Sequence, residues 1–202
     1  MSSARDDILA GVRAALRDVP AGEPVAPAEP YEPAPPPPGD PVARFAERVS
    51  DYRATVREAD DVAATIGLVC AEHEARRLGI PAALPWRPEL LDLVEDRGLS
   101  ARELDALDGA ITGCALAIAE TGTIVLDGGE RSGRRALTLV PDLHICVVER
   151  AQVVATVPEA IRALEGGRGP FTFVSGPSAT SDIELDRVEG VHGPRRLEVL
   201  LV

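Results

Sequence analysis

Cysteine is scarce in this chain: three in 202 residues, Cys70, Cys114 and Cys146, with no CxxC pair. An odd number at wide spacing gives no disulfide framework and no thiolate nest for zinc or an iron-sulfur cluster. Each sits among apolar neighbours, the setting of a small buried hydrophobe more than of a reactive thiol. Histidine is as rare, with His73, His144 and His192 and no HExxH pattern, so no dedicated transition-metal site is expected. No stretch approaches the roughly 20 uninterrupted apolar residues of a membrane span. The first residues lack the charged-then-apolar order of a secretory signal, and the expected location is cytoplasmic. Positive charge is also in short supply: 21 basic against 33 acidic residues leave a net charge of -12. That balance excludes a surface for nucleic acid or anionic membrane, because phosphate contacts need clustered Lys and Arg. GxSxG, Walker and GxGxxG patterns are absent, which leaves serine-hydrolase, P-loop and dinucleotide readings unsupported. Small molecules and proteins remain as partners.

The hydrophobic fraction, 45%, suffices for one buried core with appendages. Ile8, Val12, Leu16 and Val19 fall at helical spacing and predict an N-terminal helix within residues 1–19. Residues 20–40 form a Pro-rich linker: nine of the 18 prolines lie between Pro20 and Pro38, a composition that favours extended polyproline-like chain. The helix would either dock on its own domain or hook a partner protein. The folded domain is expected over residues 41–202. Helices are predicted for 42–55 and for 62–77, the latter capped by Asp60 or Asp61 and stopped by Gly79 and Pro81. A short strand is read in ATVREAD between them and another at 80–84, with helical pieces at 88–94 and at 100–107, where Ser100 and Glu103 match a capping box. GAIT (109–112), CALAIAE (114–120) and GTIVLDGG (122–129) read as strand, helix, strand. LHICVVE (143–149) has the continuous apolar character of a strand buried on both faces. A helix at 158–164 with the Thr156 and Glu159 box, then strands at 171–175 and 196–202, complete an open α/β structure with a mainly parallel sheet.

Three polar turns could carry chemistry. In FVSGPSATSDIE, Ser175, Gly176, Pro177 and Ser178 follow a strand and precede an expected helix start at Ser181, with Asp182 and Glu184 close behind. Free backbone N–H groups at such a start bind carboxylate or phosphate, and serines add rotating donors. An ordinary capped turn accounts for the same residues. In AETGT, Glu120 is a carboxylate in an apolar neighbourhood, a setting that raises its pKa or demands a partner. It could serve as base, nucleophile or hydrogen-bond anchor, or could merely leave the core at a bend. Beyond it Arg134 and Arg135 could clamp an anion or lie in a solvated loop. In GVHGPRR, His192 between glycines could titrate near neutrality or be structural. The general rule for open parallel sheets puts the ligand crevice beyond the carboxyl ends of the strands.

Taken together, AIAETGTIVL, LVPDLHICVV, SGPSATSDIE and GVHGPRRLEVLLV resemble the LutC/YkgG family of lactate utilization proteins, whose shared module is the LUD domain. The likeness is strong over 109–202 and looser over 41–108. It implies a fold similar to the NagB/RpiA/CoA-transferase-like group, and a role in oxidising L-lactate to pyruvate beside LutA/LutB-like partners that carry the iron-sulfur clusters. No cofactor is then expected in this chain, in keeping with its few cysteines. The matching positions are Glu120, Thr121, Gly122 and Thr123; Ser175, Gly176, Pro177, Ser178, Asp182 and Glu184; and His192, Gly193 and Pro194, with Ala179 departing from the pattern.

Three functions follow as expectations. The first is an accessory component of lactate oxidation in which the three turns form one crevice for a small anionic metabolite, Glu120 and His192 being the candidate catalytic groups. The second is a stand-alone enzyme of the CoA-transferase or sugar-phosphate-isomerase type that uses Glu120. The third is an interaction module acting through its acidic surface and N-terminal helix.

Overall fold

The computed structural model describes residues 3–19, 35–167, 169–180, 188–190 and 192–202. The chain divides into two compact units, Met1–Ala34 and Pro35–Val202. The first contains helix α1 (Ala4–Ala15), opened by a capping box between Ser3 and Asp6. It ends before the expected residue 19, and none of its residues is buried.

The second unit runs α2 (Pro41–Asp51), β1 (Thr55–Glu58), α3 (Val62–Glu72), β2 (Arg77–Ile80), β3 (Asp92–Glu95), α4 (Ala101–Asp105), β4 (Gly109–Thr112), β5 (Leu116–Ile118), β6 (Thr123–Leu126), β7 (Leu143–Val148), β8 (Val153–Val154), α5 (Val157–Ala163), β9 (Thr172–Val174), β10 (Ala179–Thr180), β11 (Val188–Glu189) and β12 (Arg196–Leu201). Helix starts follow the sequence signals. The Asp40 carboxylate accepts the Val42 N–H at 3.0 Å with Pro41 in the first turn, Asp61 caps α3, and Ser100 with Glu103 and Thr156 with Glu159 form the expected boxes.

Six strands build one wholly parallel sheet in the order β1-β12-β7-β4-β2-β3. A second sheet, β8-β5-β6-β9, is parallel only between β5 and β8. Alternation along β7 explains how the layers meet, since successive side chains of a strand point to opposite faces. Leu143, Ile145 and Val147 join Ile66, Val69 and Cys70 of α3. Cys146 and Val148 join Phe45 and Val49 of α2 and Ala117, Ile124 and Leu126 of the second sheet. The outer face of that sheet, through Leu116, Ile118 and Val125, is covered by Ala160 of α5. Both sheets are therefore sandwiched, and the apolar character of β4 to β7 follows.

Several sequence expectations are corrected. Residues 114–120 are not helical: Leu116–Ile118 is strand β5, buried on both faces by the two clusters just described, so pairing overrides the helical propensity of its alanines. Helix α3 ends at Glu72, and Glu74 takes a positive φ of 54°. Arg77 and Gly79 consequently lie in β2, not in a helix terminus, and the strand read at 80–84 is displaced to Arg77–Ile80. At Gly79 a Cβ would come within 2.7 Å of Leu137 Cδ1 and 2.8 Å of Leu107 Cδ1, so both leucine side chains would have to shift to admit one. The 88–94 segment yields strand β3 instead of a helix. Helix α2 stops at Asp51, and Arg53 has a φ of 71°.

One polar group penetrates the α3 face. Glu198 on β12 is 3% exposed and accepts from Arg57 Nε and faces His73 Nε2, each at 2.9 Å, while Arg57 also grips Glu72. A buried carboxylate stripped of its cation is costly, on the order of 3 kcal/mol. Arg57→Ala is therefore expected to lower unfolding stability by about that much, measured as a fall in the denaturant midpoint at unchanged slope; a change under about 0.5 kcal/mol would show that His73 alone satisfies Glu198.

Candidate functional site

The turns around Gly122 and Gly176 are seated on the same helix. Gly122 has a φ of 62°, and a Cβ there would lie 2.5 Å from the Val49 nitrogen; Gly176 has a φ of 98°, and its Cβ would lie 2.6 Å from Tyr52 Cβ. Only glycine permits this approach of backbone to the end of α2. The turns are joined by a run of hydroxyls, Thr121 Oγ1 to Thr123 Oγ1 and Thr123 Oγ1 to Ser175 Oγ, both at 2.7 Å. Ser178 then ties the second turn to the third: its N–H donates to Pro194 O at 2.8 Å, its carbonyl accepts from Gly190 N–H at 2.9 Å, and its Oγ accepts from His192 N–H at 3.1 Å.

Between the second and third turns lies a cavity of about 300 Å³ whose walls include Ser175, Gly176, Pro177, Ser178, His192 and Gly193. Arg135, Thr138 and Leu139 close another side, and His144 and Leu197 also line it. The cavity opens toward a wider depression of about 870 Å³ with which it shares Arg135, Leu139, His192 and Gly193. None of the described lining residues of the inner cavity is an Asp or Glu, in a chain whose carboxylates outnumber its basic groups. Arg135 has no salt bridge or side-chain hydrogen bond among the described residues, in contrast with Arg134, Arg131 and Arg195.

This cavity does not lie at the carboxyl ends of the parallel strands, where the general rule puts a ligand crevice. His144 and Leu197 are the second residues of β7 and β12, so the cavity lies toward the strand beginnings, where the β9 turn and the chain entering β12 meet. At the opposite edge side chains already pair with one another, Arg131 with Glu149 at 2.6 Å and Arg134 with Asp96 at 2.6 Å.

Each sequence candidate can now be located. Ser175, Gly176, Pro177, Ser178, His192, Gly193 and Arg135 line the cavity. Thr121, Gly122 and Thr123 stand behind Ser175 and brace it without entering the lining. Arg134, read from sequence as one half of an anion clamp, holds the nearly buried Asp96 bidentately and also donates to Leu99 O. Burial works against ionisation of Asp96, but the Arg134 bonds and the N–H groups of Leu99 and Gly98 outweigh it and hold the carboxyl below its usual range. Glu120 is not in an apolar pocket. The chain leaves the sheet after Ala119, Glu120 is exposed, and its carboxylate accepts the Val157 N–H at 3.2 Å at the start of α5, a favourable place for negative charge. Asp182, Glu184 and the expected helix start at Ser181 lie outside the described residues. Among the described residues no group of three or more His, Cys, Asp or Glu could hold a metal, and no helix is long and apolar enough to cross a membrane.

Sequence reasoning missed His144. It is 1% exposed, and its Nε2 meets Thr112 Oγ1 at 2.8 Å; Nδ1 makes no hydrogen bond among the described residues. Burial lowers its pKa from 6.5 to about 4, so the imidazole is neutral at pH 7. The available signal was a single polar side chain inside LHICVV, because a polar residue in a strand buried on both faces requires a partner or a use.

This is an α/β protein with a wholly parallel six-stranded sheet, a second sheet packed on it, and a cavity between loops whose described lining residues include no Asp or Glu. The LUD domain family model matches residues 55–202, and the chain belongs to that family. It is 48% identical over 166 residues to lactate utilization protein C of Deinococcus radiodurans, covering 79% of this chain and 78% of that protein. It is 40% identical over 92 residues to lactate utilization protein C of Bacillus pumilus, covering 42% of this chain and 38% of that one. The crystal structure of a DUF162 family protein from Deinococcus radiodurans aligns with a TM-score of 0.69 at 38% identity, over 80% of this chain and 96% of that chain.

The neutral state of His144 has a measurable consequence. The unfolded chain takes up a proton near pH 6.5, whereas the folded protein does so only near pH 4. Its contribution is therefore complete above pH 6.5 and is lost as the pH falls toward 4, amounting to about 3 kcal/mol. Between pH 7 and 4 the wild type should lose that much more stability than His144→Gln in parallel urea titrations. Equal slopes would show that the imidazole is solvated in the folded state.

Proposed function

We propose that this protein serves lactate utilization as a cytoplasmic accessory component that binds a small anionic metabolite in the cavity bounded by Ser175–Ser178, His192–Gly193 and Arg135. In this reading the iron-sulfur clusters of the system reside on LutA/LutB-like partner proteins, residues 41–202 form the working module, and the helix within 1–19 is carried on the linker of 20–40. The observation that supports it most is the composition of the cavity wall: a guanidinium without a salt bridge among the described residues, two imidazoles and several hydroxyls, with no carboxylate among the described lining residues. In a chain of net charge -12, such a patch suits an anion and repels a cation. The names of the relatives supply the metabolic setting. The stand-alone enzyme using Glu120 gains no support, because that carboxylate is engaged at the start of α5.

The test is growth on L-lactate of a strain lacking this gene, complemented with wild type, Arg135→Gln or Glu120→Gln at matched protein levels. Arg135→Gln is expected to slow growth at least about tenfold, the effect of losing one charge-assisted hydrogen bond, and Glu120→Gln to restore it nearly fully. Full rescue by Arg135→Gln would detach the cavity from the phenotype, and failure of Glu120→Gln alone would revive the enzyme reading.

A further inference from the structure

The helix of the first unit is the part of the chain that the family likeness leaves unexplained. α1 lies outside residues 55–202, which the family model covers, yet its sequence specifies it strongly. Ser3 and Asp6 build its capping box, Asp6 and Asp7 occupy its first turn and Arg13 its last. Ile8, Val12, Leu16 and Val19 recur at intervals of four, four and three residues and form one apolar stripe. Each of the four is between 48% and 67% exposed. A helix of 12 residues is marginal in water by itself, and covering that stripe would stabilise it.

The charges of α1 complement those of a second α1. Asp6 and Arg13 are seven residues apart, which puts them two turns from each other on the same flank of the stripe. An antiparallel pair that sets Ile8 opposite Val12 of a second copy brings that flank of each helix against its equal, and Asp6 then comes within one residue of the level of Arg13. The contact occurs twice, as a two-fold axis requires. A parallel pair would instead set the Asp6–Asp7 turn beside its own copy, like charge against like. Antiparallel helices also align their dipoles head to tail. Arg5 falls on the stripe opposite Ala15 in this register, a residue small enough to leave its guanidinium in water.

We infer that α1 is a self-recognition element: the chain associates with a second copy through an antiparallel α1 pair, held by the stripe from Ile8 to Leu16 and by reciprocal Asp6–Arg13 contacts. The association is independent of the cavity and of what the cavity binds. A helix of 12 residues is about 18 Å long, and two of them bury less than the roughly 1,200 Å² of a standard interface. The pair is therefore weak, and its population depends on protein concentration.

The experiment is sedimentation equilibrium of the full chain over roughly 1 to 500 µM, the range proper to so small an interface. The mean mass should climb from 21.3 kDa toward twice that value. Val12→Asp changes a side chain that is solvent-exposed within its own copy and should hold the monomer mass throughout. Asp6→Arg leaves the Ser3 cap on the residue 6 N–H in place, and both it and Arg13→Glu should self-associate roughly three- to tenfold more weakly than wild type, because each reverses two exposed contacts. An equimolar mixture of these two variants should recover the wild-type strength. Raising salt from about 0.05 to about 0.5 M should loosen the wild-type pair, since screening removes attraction. A wild type that keeps the monomer mass over the whole range would overturn the pairing, as would a dimer untouched by Val12→Asp. Association that tightens with salt, or a mixture no stronger than either variant alone, would overturn the antiparallel charge contacts.

Discussion

Burial of β7 from both sides is the constraint on which the rest of the molecule depends. Its alternate residues feed two cores, one against α3 and one against α2 and the second sheet, and its neighbours β12 and β4 run parallel to it. A strand so placed can hold a polar side chain only where that side chain finds a partner. His144 finds Thr112 on β4, the adjacent strand. The same burial that builds the core thus fixes an imidazole in its neutral form in the wall of the cavity.

The loops around that imidazole owe their positions to close backbone packing more than to regular structure. Gly122 and Gly176 bring two distant turns against the last residues of α2, hydroxyl contacts from Thr121 through Thr123 to Ser175 join them, and Ser178 fastens the second turn to the chain entering β12. Leu137, just after Arg134 and Arg135 in the chain, packs against Gly79 of β2. Those adjacent arginines then part: Arg134 is consumed by Asp96, whereas Arg135 is left to the cavity. A similar division runs across the molecule. Most of its described ion pairs, such as Arg57 with Glu198 and Arg195 with Asp142, serve the scaffold, and the cavity stands out because its described wall has no carboxylate.

The elements with strong local signals were legible beforehand. Capping boxes at Ser100 and Thr156, the continuous apolar run of β7 and the parallel α/β pattern all appear where sequence reasoning puts them, because caps and strand burial are written in residues close together in the chain. The LUD domain likeness was also legible, since it rests on four blocks in a fixed order. Local rules failed where tertiary pairing decides. The Ala-rich stretch 114–120 has helical propensity, but its β5 lies between β6 and β8, and the Arg76–Gly79 stretch resembles a helix end but joins a sheet.

By itself the sequence determined the fold class, the cysteine-poor chemistry and the polar turns worth attention, because composition, periodicity and motif order are properties of the chain. Which of those turns share a cavity was decided only by the tertiary structure. Glu120 and Thr121 are neighbours along the polymer, yet one carboxylate turns to α5 and the other residue's hydroxyl turns toward Ser175 through Thr123. His144, unremarkable in a row of apolar residues, becomes the neutral polar group of the cavity because packing removes water from it, and desolvation is a property of the surroundings that no residue carries alone.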